Sequence, residues 1–290
     1  MSSDQRQRAR RDERVPDPPP IRLTERDLDV IQAVYEYRVL TTQHLQALFF
    51  PSVHRAYERL SALYQHGFLD RRFLGVYIDK MNTPILYVLD KRGAEVLQAQ
   101  RGIEVEWSSS LKQVSTQFLE HGLAINQVRI AFTLACRAQA GFGLVQWRGE
   151  NDLKADYDRV TIRTATGRSE TVSLIPDSYF VLNTPLGVAH FFLELDRGSM
   201  ATKRFGQKVA AYIQYYRSGV YQQRYQTKSL RVLTVTISPT RLDNLKRVTE
   251  GVGGEQRFWF TTLDTLTTAT VLRHPIWRVA TLTTPQALIN

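Results

Sequence analysis

The sequence predicts a mixed α/β protein in two parts: a short helical unit closed by a β-ribbon, then a larger unit built on a mixed central sheet. Three observations carry this. Apolar residues recur at helical spacing from Leu28 to Tyr64 and then give way to two short β-prone stretches. From Leu144 to Thr261 the pattern becomes strands interrupted by helices. Within that region, Ile175 to Leu182 and Phe191 to Leu195 form an apolar hairpin that carries acids at Asp177, Glu194 and Asp196.

Residues 1–20 are expected to be a disordered tail, with Arg alternating with acids and Gln before Pro16-Asp17-Pro18-Pro19-Pro20. Order begins at Leu23. Thr24 with Asp27 three positions on resembles a capping box, and Leu28, Ile31, Val34 and Tyr35 form the apolar stripe of a first helix. A second helix follows Thr41 or Thr42 with Leu45, Leu48 and Phe49, and Pro51-Ser52 ends it. A third spans about Val53 to Gln65, with Ala56, Leu60, Leu63 and Tyr64 inward and Gly67 as its stop. Strands at Phe68 to Tyr77 and Ile85 to Leu89 flank a polar tip. Three helices and a ribbon are the order of a winged helix-turn-helix domain, expected over residues 21–105. Its third helix would present Ser52, His54, Arg55, Tyr57, Glu58 and Arg59 to double-stranded DNA, and its wing Arg71, Arg72 and Lys80. The other use of such a domain is protein contact.

Gly93 to Gln100 reads as a short helix and Gly102 to Ser110 as a connector. The second domain is expected over residues 113–290. Gln113 to Gln139 fits a long helix with Leu119, Leu123, Ile130, Leu134 and Ala138 near one stripe. Strands are expected at Leu144 to Arg148, Val160 to Thr164, Thr171 to Leu182 and Val188 to Leu195. Then come a helix from Ala201 to Arg217, a buried strand from Leu230 to Ile237, a helix from Arg241 to Glu250 and a strand from Arg257 to Thr261.

The hairpin carries the chemistry. With a loop at Thr184 to Gly187, Asn183 pairs with Val188, and Asp177 then falls opposite Glu194. Glu194 and Asp196 alternate onto the same face, so three carboxylates share it, whereas a one-residue slip would remove Asp177. Gathered like charges call for a cation or a protein base between them.

The formal net charge is +10. Residues 1–112 hold 17 Lys and Arg against 15 Asp and Glu, and residues 113–290 hold 21 against 13. The excess follows the acidic hairpin through Arg197, Lys203, Arg204, Lys208, Arg217, Arg224, Lys228 and Arg231, with Lys203 and Arg204 as candidate phosphate contacts. The tyrosines at 212, 215, 216, 221 and 225 make this stretch aromatic-rich, with base stacking as one use and helix core as the other. No run of 18 apolar residues is present, so no membrane span is expected. The polar N-terminus has no secretory pattern, and the lone Cys136 excludes a disulfide framework or a zinc–cysteine cluster, so a cytoplasmic protein is expected. Glycine-rich phosphate loops, the dinucleotide fingerprint and the nucleophile elbow are absent.

Pro176-Asp177 followed by Glu194-Leu195-Asp196 resembles the signature of the restriction-endonuclease-like superfamily, Pro-Asp then (Asp/Glu)-x-Lys. The resemblance implies metal ligation by Asp177 and Glu194. Position 196 departs, holding Asp where the lysine that orients the attacking water would stand. Lys208 on the next helix is a candidate substitute, with Tyr212 one turn on, and Glu150 and His121 are further candidates. More narrowly, the chain is similar to the replication-relaxation family over roughly residues 24–220. The likeness rests on the leading winged helix, Glu120-His121, Trp147-Arg148-Gly149-Glu150, Ile175-Pro176-Asp177, Phe192-Leu193-Glu194-Leu195-Asp196-Arg197-Gly198-Ser199 and Lys208-x-x-x-Tyr212. It implies a role in replication, mobilisation or relaxation of plasmid or mobile-element DNA. The paired-histidine metal motif of relaxases is missing, so the chain would assist a relaxase or replication protein, with a homodimer as one state of assembly. Two readings stand at this point. One is a DNA-binding accessory factor or regulator with a degenerate nuclease-like domain. The other is an Mg²⁺-dependent nickase or endonuclease using Asp177, Glu194 and Asp196 with Lys208.

Overall fold

A computed structural model describes residues 11–74, 84–105, 107, 115–163 and 167–289. The chain divides into two units, Met1–Gln127 and Val128–Asn290. The division falls within the long helix rather than in the connector before it.

In the first unit the predicted helices form as α1 (Glu25–Tyr37), α2 (Thr42–Phe49) and α3 (Val53–Gln65). Each begins on a hydroxyl cap. Thr24 and Asp27 make the expected capping box, Thr41 caps α2, and the Ser52 hydroxyl accepts the Arg55 N–H. A two-residue strand, β1 (Leu40–Thr41), precedes α2, and the ribbon is β2 (Leu69–Arg72) with β3 (Leu86–Leu89). The three strands lie antiparallel in the order β1-β3-β2. The three helices come first and the β2–β3 ribbon follows them in the chain. The core is Val30, Ile31, Val34, Leu45, Leu60, Leu63 and Leu86, all fully buried. A further helix, α4 (Lys91–Arg101), ends at Gly102 in the left-handed conformation.

The expected free tail is corrected over residues 11–19. Arg14 donates to the Tyr64 carbonyl at 2.8 Å and pairs with Asp90 at 2.6 Å, and the Val15 N–H reaches the Gln65 side chain at 2.8 Å. The Pro19 carbonyl bonds His66. The last carbonyls of α3 lack helical partners, and a passing arginine supplies one. Residues 1–10 and Lys80 lie outside the described residues.

The second unit takes the latter part of α5 (Thr116–Arg137) and a six-stranded mixed sheet in the order β11-β10-β9-β8-β7-β4. Its strands are β4 (Gly143–Gly149), β7 (Ser178–Thr184), β8 (Gly187–Asp196), β9 (Arg231–Thr236), β10 (Phe258–Thr262) and β11 (Arg278–Val279). The central β8–β9 and β9–β10 pairs are parallel and the outer pairs antiparallel. On one face sit α6 (Glu150–Ala155), α7 (Thr202–Arg217), α8 (Val220–Tyr225), α9 (Pro239–Gly251) and a separate hairpin of β5 (Asp158–Arg163) and β6 (Ser169–Leu174), sharing a core of Tyr179, Phe192, Val232, Phe260, Phe205, Val209 and Leu245. On the other, Phe132 of α5 packs 4.8 Å from Phe180, which stacks on Trp147 and Phe191. Both faces of β8 are therefore covered, which is why its sequence reads as a continuous apolar run. The single strand expected over Thr171 to Leu182 is two strands in different sheets. Pro176 has no N–H to continue a ladder, and the chain changes sheet there. Among the described residues no helix is long and apolar enough to cross a membrane.

Candidate functional site

The hairpin alignment follows the sequence reading. Asn183 pairs with Val188, Thr184 with Gly187 and Ser178 with Leu193. Gly187 turns the chain with φ of 112°, a backbone angle that favours glycine. One step beyond Ser178, the Asp177 N–H bonds the Leu193 carbonyl, which sets Asp177 across from Glu194. The Asp177 carboxylate accepts the Leu195 N–H at 2.6 Å. Glu194 and Asp196 point from β8 toward the helices on the α7 and α9 side, and both are buried.

The two buried acids meet different partners. Glu194 accepts from Lys208 Nζ at 2.5 Å on one oxygen and from the Tyr212 hydroxyl on the other. Lys208 and Tyr212 lie one turn apart on α7, so one helix face addresses both oxygens. Burial pushes the Glu194 carboxyl up to about 7; Lys208 pulls it down and the neighbouring Asp177 charge adds to the rise. Burial alone would lower Lys208, but the charges of Glu194, Asp177 and Glu150 outweigh it and hold the ammonium protonated. Tyr212 is held well above its ordinary value by burial and by Glu194, so it stays a donor. Glu150 itself opens α6 and pairs with Lys154 at 2.7 Å.

Asp196 is clamped by Arg241, Nε to Oδ2 at 2.7 Å and Nη2 to Oδ1 at 2.8 Å. The Thr236 hydroxyl and the Gly198 N–H add bonds at 3.1 Å each. Arg241 also donates to the Met200 carbonyl at 2.5 Å. A bidentate guanidinium and two further donors saturate this carboxylate.

That corrects two expectations. Asp196 is neither metal ligand nor catalytic group in this arrangement, because its oxygens are already taken. The Mg²⁺ site expected on Asp177, Glu194 and Asp196 does not fit the donor set: Glu194 is capped by Lys208 and Tyr212, and Asp177 holds a backbone N–H. Among the described residues no group of three or more His, Cys, Asp or Glu is placed to hold a metal ion. What does come together is Asp177, Glu194, Lys208 and Tyr212, with Glu150 close enough to act on Lys208. His121 lies in the first unit, half-buried on α5. Sequence reasoning missed Arg241, noting it only as a helix start. Its partner lies 45 positions away, and no local pattern marks it.

The residues predicted to meet DNA divide in the same way. On α3, His54, Arg55 and Tyr57 are exposed, with His54 Nε2 3.2 Å from Glu58. Ser52 is used as the cap. Arg59 is corrected: it grips buried Asp27 through Nε at 2.7 Å and Nη2 at 2.5 Å, and its Nη2 also donates to the Arg22 carbonyl. Arg71 is also corrected. It is buried, lies 4.3 Å from the Tyr64 ring centroid and donates to the Arg11 carbonyl at 3.1 Å. Arg72 pairs with Asp70 at 2.7 Å. Lys203 and Arg204 are exposed in the first turn of α7.

Comparison with known proteins gives one family. The family model described as replication-relaxation matches residues 31–230, more than half of the chain. No curated protein matches. Among solved structures, that of restriction endonuclease FokI is similar at 8% identity with a TM-score of 0.31, covering 84% of this chain. The chain spans less than half of that protein's length, 43% of it.

Proposed function

The chain belongs to the replication-relaxation family, and from that premise we propose that it is a DNA-binding factor in replication, mobilisation or relaxation of plasmid or mobile-element DNA. It acts as an accessory factor or regulator. The first unit is a winged helix whose α3 enters the major groove, with Arg55, His54 and Tyr57 as contacts. The second unit is a nuclease-like module whose acids are closed by internal cations. Its exposed Lys203 and Arg204 contact phosphates. Double-stranded DNA is the partner, together with a relaxase or replication protein.

The observation that carries this reading is the first unit's element and strand order, with the N-terminal turns of α3 left exposed by the packing of α1 and α2. The closure of Glu194 and Asp196 favours a factor over a nuclease. Fluorescence anisotropy of the full chain on a labelled duplex tests it. Affinity is expected to fall log-linearly with salt and to be indifferent to a chelator. Arg55→Ala is expected to cost about 1–3 kcal/mol. Binding that ignores salt would remove the phosphate contacts from the reading.

A nickase remains the second reading, favoured by one feature: Asp177, Glu194 and Lys208 are within electrostatic reach of each other. Incubation of supercoiled plasmid with Mg²⁺ decides between them. Nicking lost in Asp177→Ala assigns activity to this cluster, and nicking unchanged in that variant removes it from this site.

A further inference from the structure

The acids lie at the C-terminal ends of the parallel strands, where Asp196 pairs with Thr236. At the other end, where Phe191 pairs with Arg231, the chemistry reverses. A groove of about 710 Å³ opens there, lined among others by Tyr216, Arg217, Arg231, Glu255, Arg257 and Thr281. Arg217 and Arg257 bring two guanidinium groups to it against one carboxylate, Glu255, while the Arg231 side chain leaves the sheet on the opposite face, against Phe191 and Trp259. We propose that this groove binds a segment of single-stranded nucleic acid, a site separate from α3 and from the Glu194 cluster. The proposal rests on the reading that the chain works on DNA.

Each arginine is held differently, and the differences carry the argument. Arg231 is fixed. Its guanidinium lies 4.7 Å from the Trp259 ring centroid and 5.9 Å from that of Phe191, and it donates to the Leu288 carbonyl. Burial lowers its pKa, yet a guanidinium stays charged at neutral pH. The Arg257 guanidinium carbon sits over the Tyr216 ring, 3.6 Å from its centroid, and the residue is exposed. Arg217, in the last turn of α7, is exposed as well. Among the described residues neither Arg217 nor Arg257 forms a salt bridge or a side-chain hydrogen bond. The second acid nearby, Glu250, is engaged by Lys246 at 2.5 Å and by the Thr281 N–H at 2.8 Å. Glu255 alone does not balance two guanidinium groups.

A guanidinium stacked on a ring keeps its outer face as a flat platform and its N–H edge for an acceptor. An unpaired base stacks on such a platform, and its phosphate meets the edge. In a duplex the base faces are buried against each other, so the platform selects a single strand. Arg217 then takes the neighbouring phosphate.

The test uses the full chain, an oligothymidine and a duplex of equal length, read by anisotropy across a salt series. Arg217→Ala/Arg257→Ala is expected to weaken single-strand binding about tenfold. It should reduce the salt slope by about 1.4, roughly 0.7 for each phosphate contact removed from a single strand. Duplex binding should stay as in the parent chain. Arg217→Glu, on an exposed residue without a partner to lose, repeats the measurement without touching the Tyr216 platform and is expected to weaken single-strand binding further than Arg217→Ala. Arg55→Ala is the converse control and should weaken duplex binding only. Unchanged single-strand binding in both groove variants overturns the proposal, as does equal loss on both DNAs. If the parent chain binds neither DNA, the DNA-binding reading fails with it. Duplex binding that Arg55→Ala alone weakens, with the groove variants silent on both DNAs, leaves that reading intact and removes only the groove.

Discussion

The two ends of the β8–β9 pair carry opposite charges and opposite degrees of closure. At one end the acids are buried, and each has a built-in cation: Lys208 on Glu194, Arg241 on Asp196. At the other end Arg217 and Arg257 have no carboxylate among the described residues. A charge already matched inside the fold serves the fold, and a charge left unmatched at the surface is available to a partner. By that rule the conspicuous feature of the sequence, its acidic hairpin, is the closed region, and the arginines of the last turn of α7 and the turn before β10 are the open one.

Removing a built-in cation should break the closed end most severely. Arg241→Ala leaves Asp196 buried with only a hydroxyl and an N–H, and is expected to cost about 3–5 kcal/mol of unfolding free energy. Chemical denaturation without added metal reads it directly. A loss below about 1 kcal/mol would mean that Asp196 does not depend on Arg241, and the carboxylate would again be open to a cation.

The next effect is smaller and depends on pH. Burial holds the folded Glu194 carboxyl at about 7, above the ordinary value of 4.5. Between those values the folded chain keeps a proton that the unfolded chain has lost, so stability falls as pH rises through that window and is flat above it. The fall expected from Glu194 is on the order of 3 kcal/mol. Glu194→Gln, neutral at every pH, should flatten the slope between pH 5 and 7. A parent chain whose stability rises across that range would show that Lys208 keeps Glu194 ionised throughout.

What the sequence made legible follows from how local each signal is. The hairpin alignment was readable because alternation and a short turn fix it within twenty-odd residues of chain. The capping box of α1 was readable for the same reason. The change of sheet at Pro176 was not. The apolar residues on its two sides look alike, and only the destination of the chain distinguishes them. Helices α6 and α8, at six residues each, are too short to display a period. The candidate site was half legible. Side chains one helical turn apart, Lys208 and Tyr212, announced a shared face, but the Arg241 clamp on Asp196 joins distant segments, and pairing across the fold leaves no spacing to read. The N-terminal segment failed for a related reason: its composition favours disorder, but composition does not register the Tyr64 and Leu69 carbonyls that Arg14 meets.

The mildest test carries the same rule to α3, where Arg55 and Arg59 sit one turn apart and looked equivalent in sequence. Arg55 is exposed, and Arg59 holds Asp27. The carboxyl of Asp27 stays below its ordinary value although burial acts to raise it, because bonds from Arg59 and Thr24 favour the ionised form. Arg59→Ala should therefore lower stability, and lower it most at neutral pH, where Asp27 is ionised and left unpaired. The penalty should shrink as pH falls through the acid range and Asp27 takes a proton. Its effect on duplex binding at saturating folded protein should be slight, with the salt slope unchanged. Arg55→Ala should do the reverse, leaving stability within about 0.5 kcal/mol of the parent and reducing the slope by about 1 if it meets a phosphate. If Arg59→Ala instead lowers the slope as much as Arg55→Ala does, Arg59 leaves Asp27 to contact DNA, and an internal partner is no guide to which cations are free.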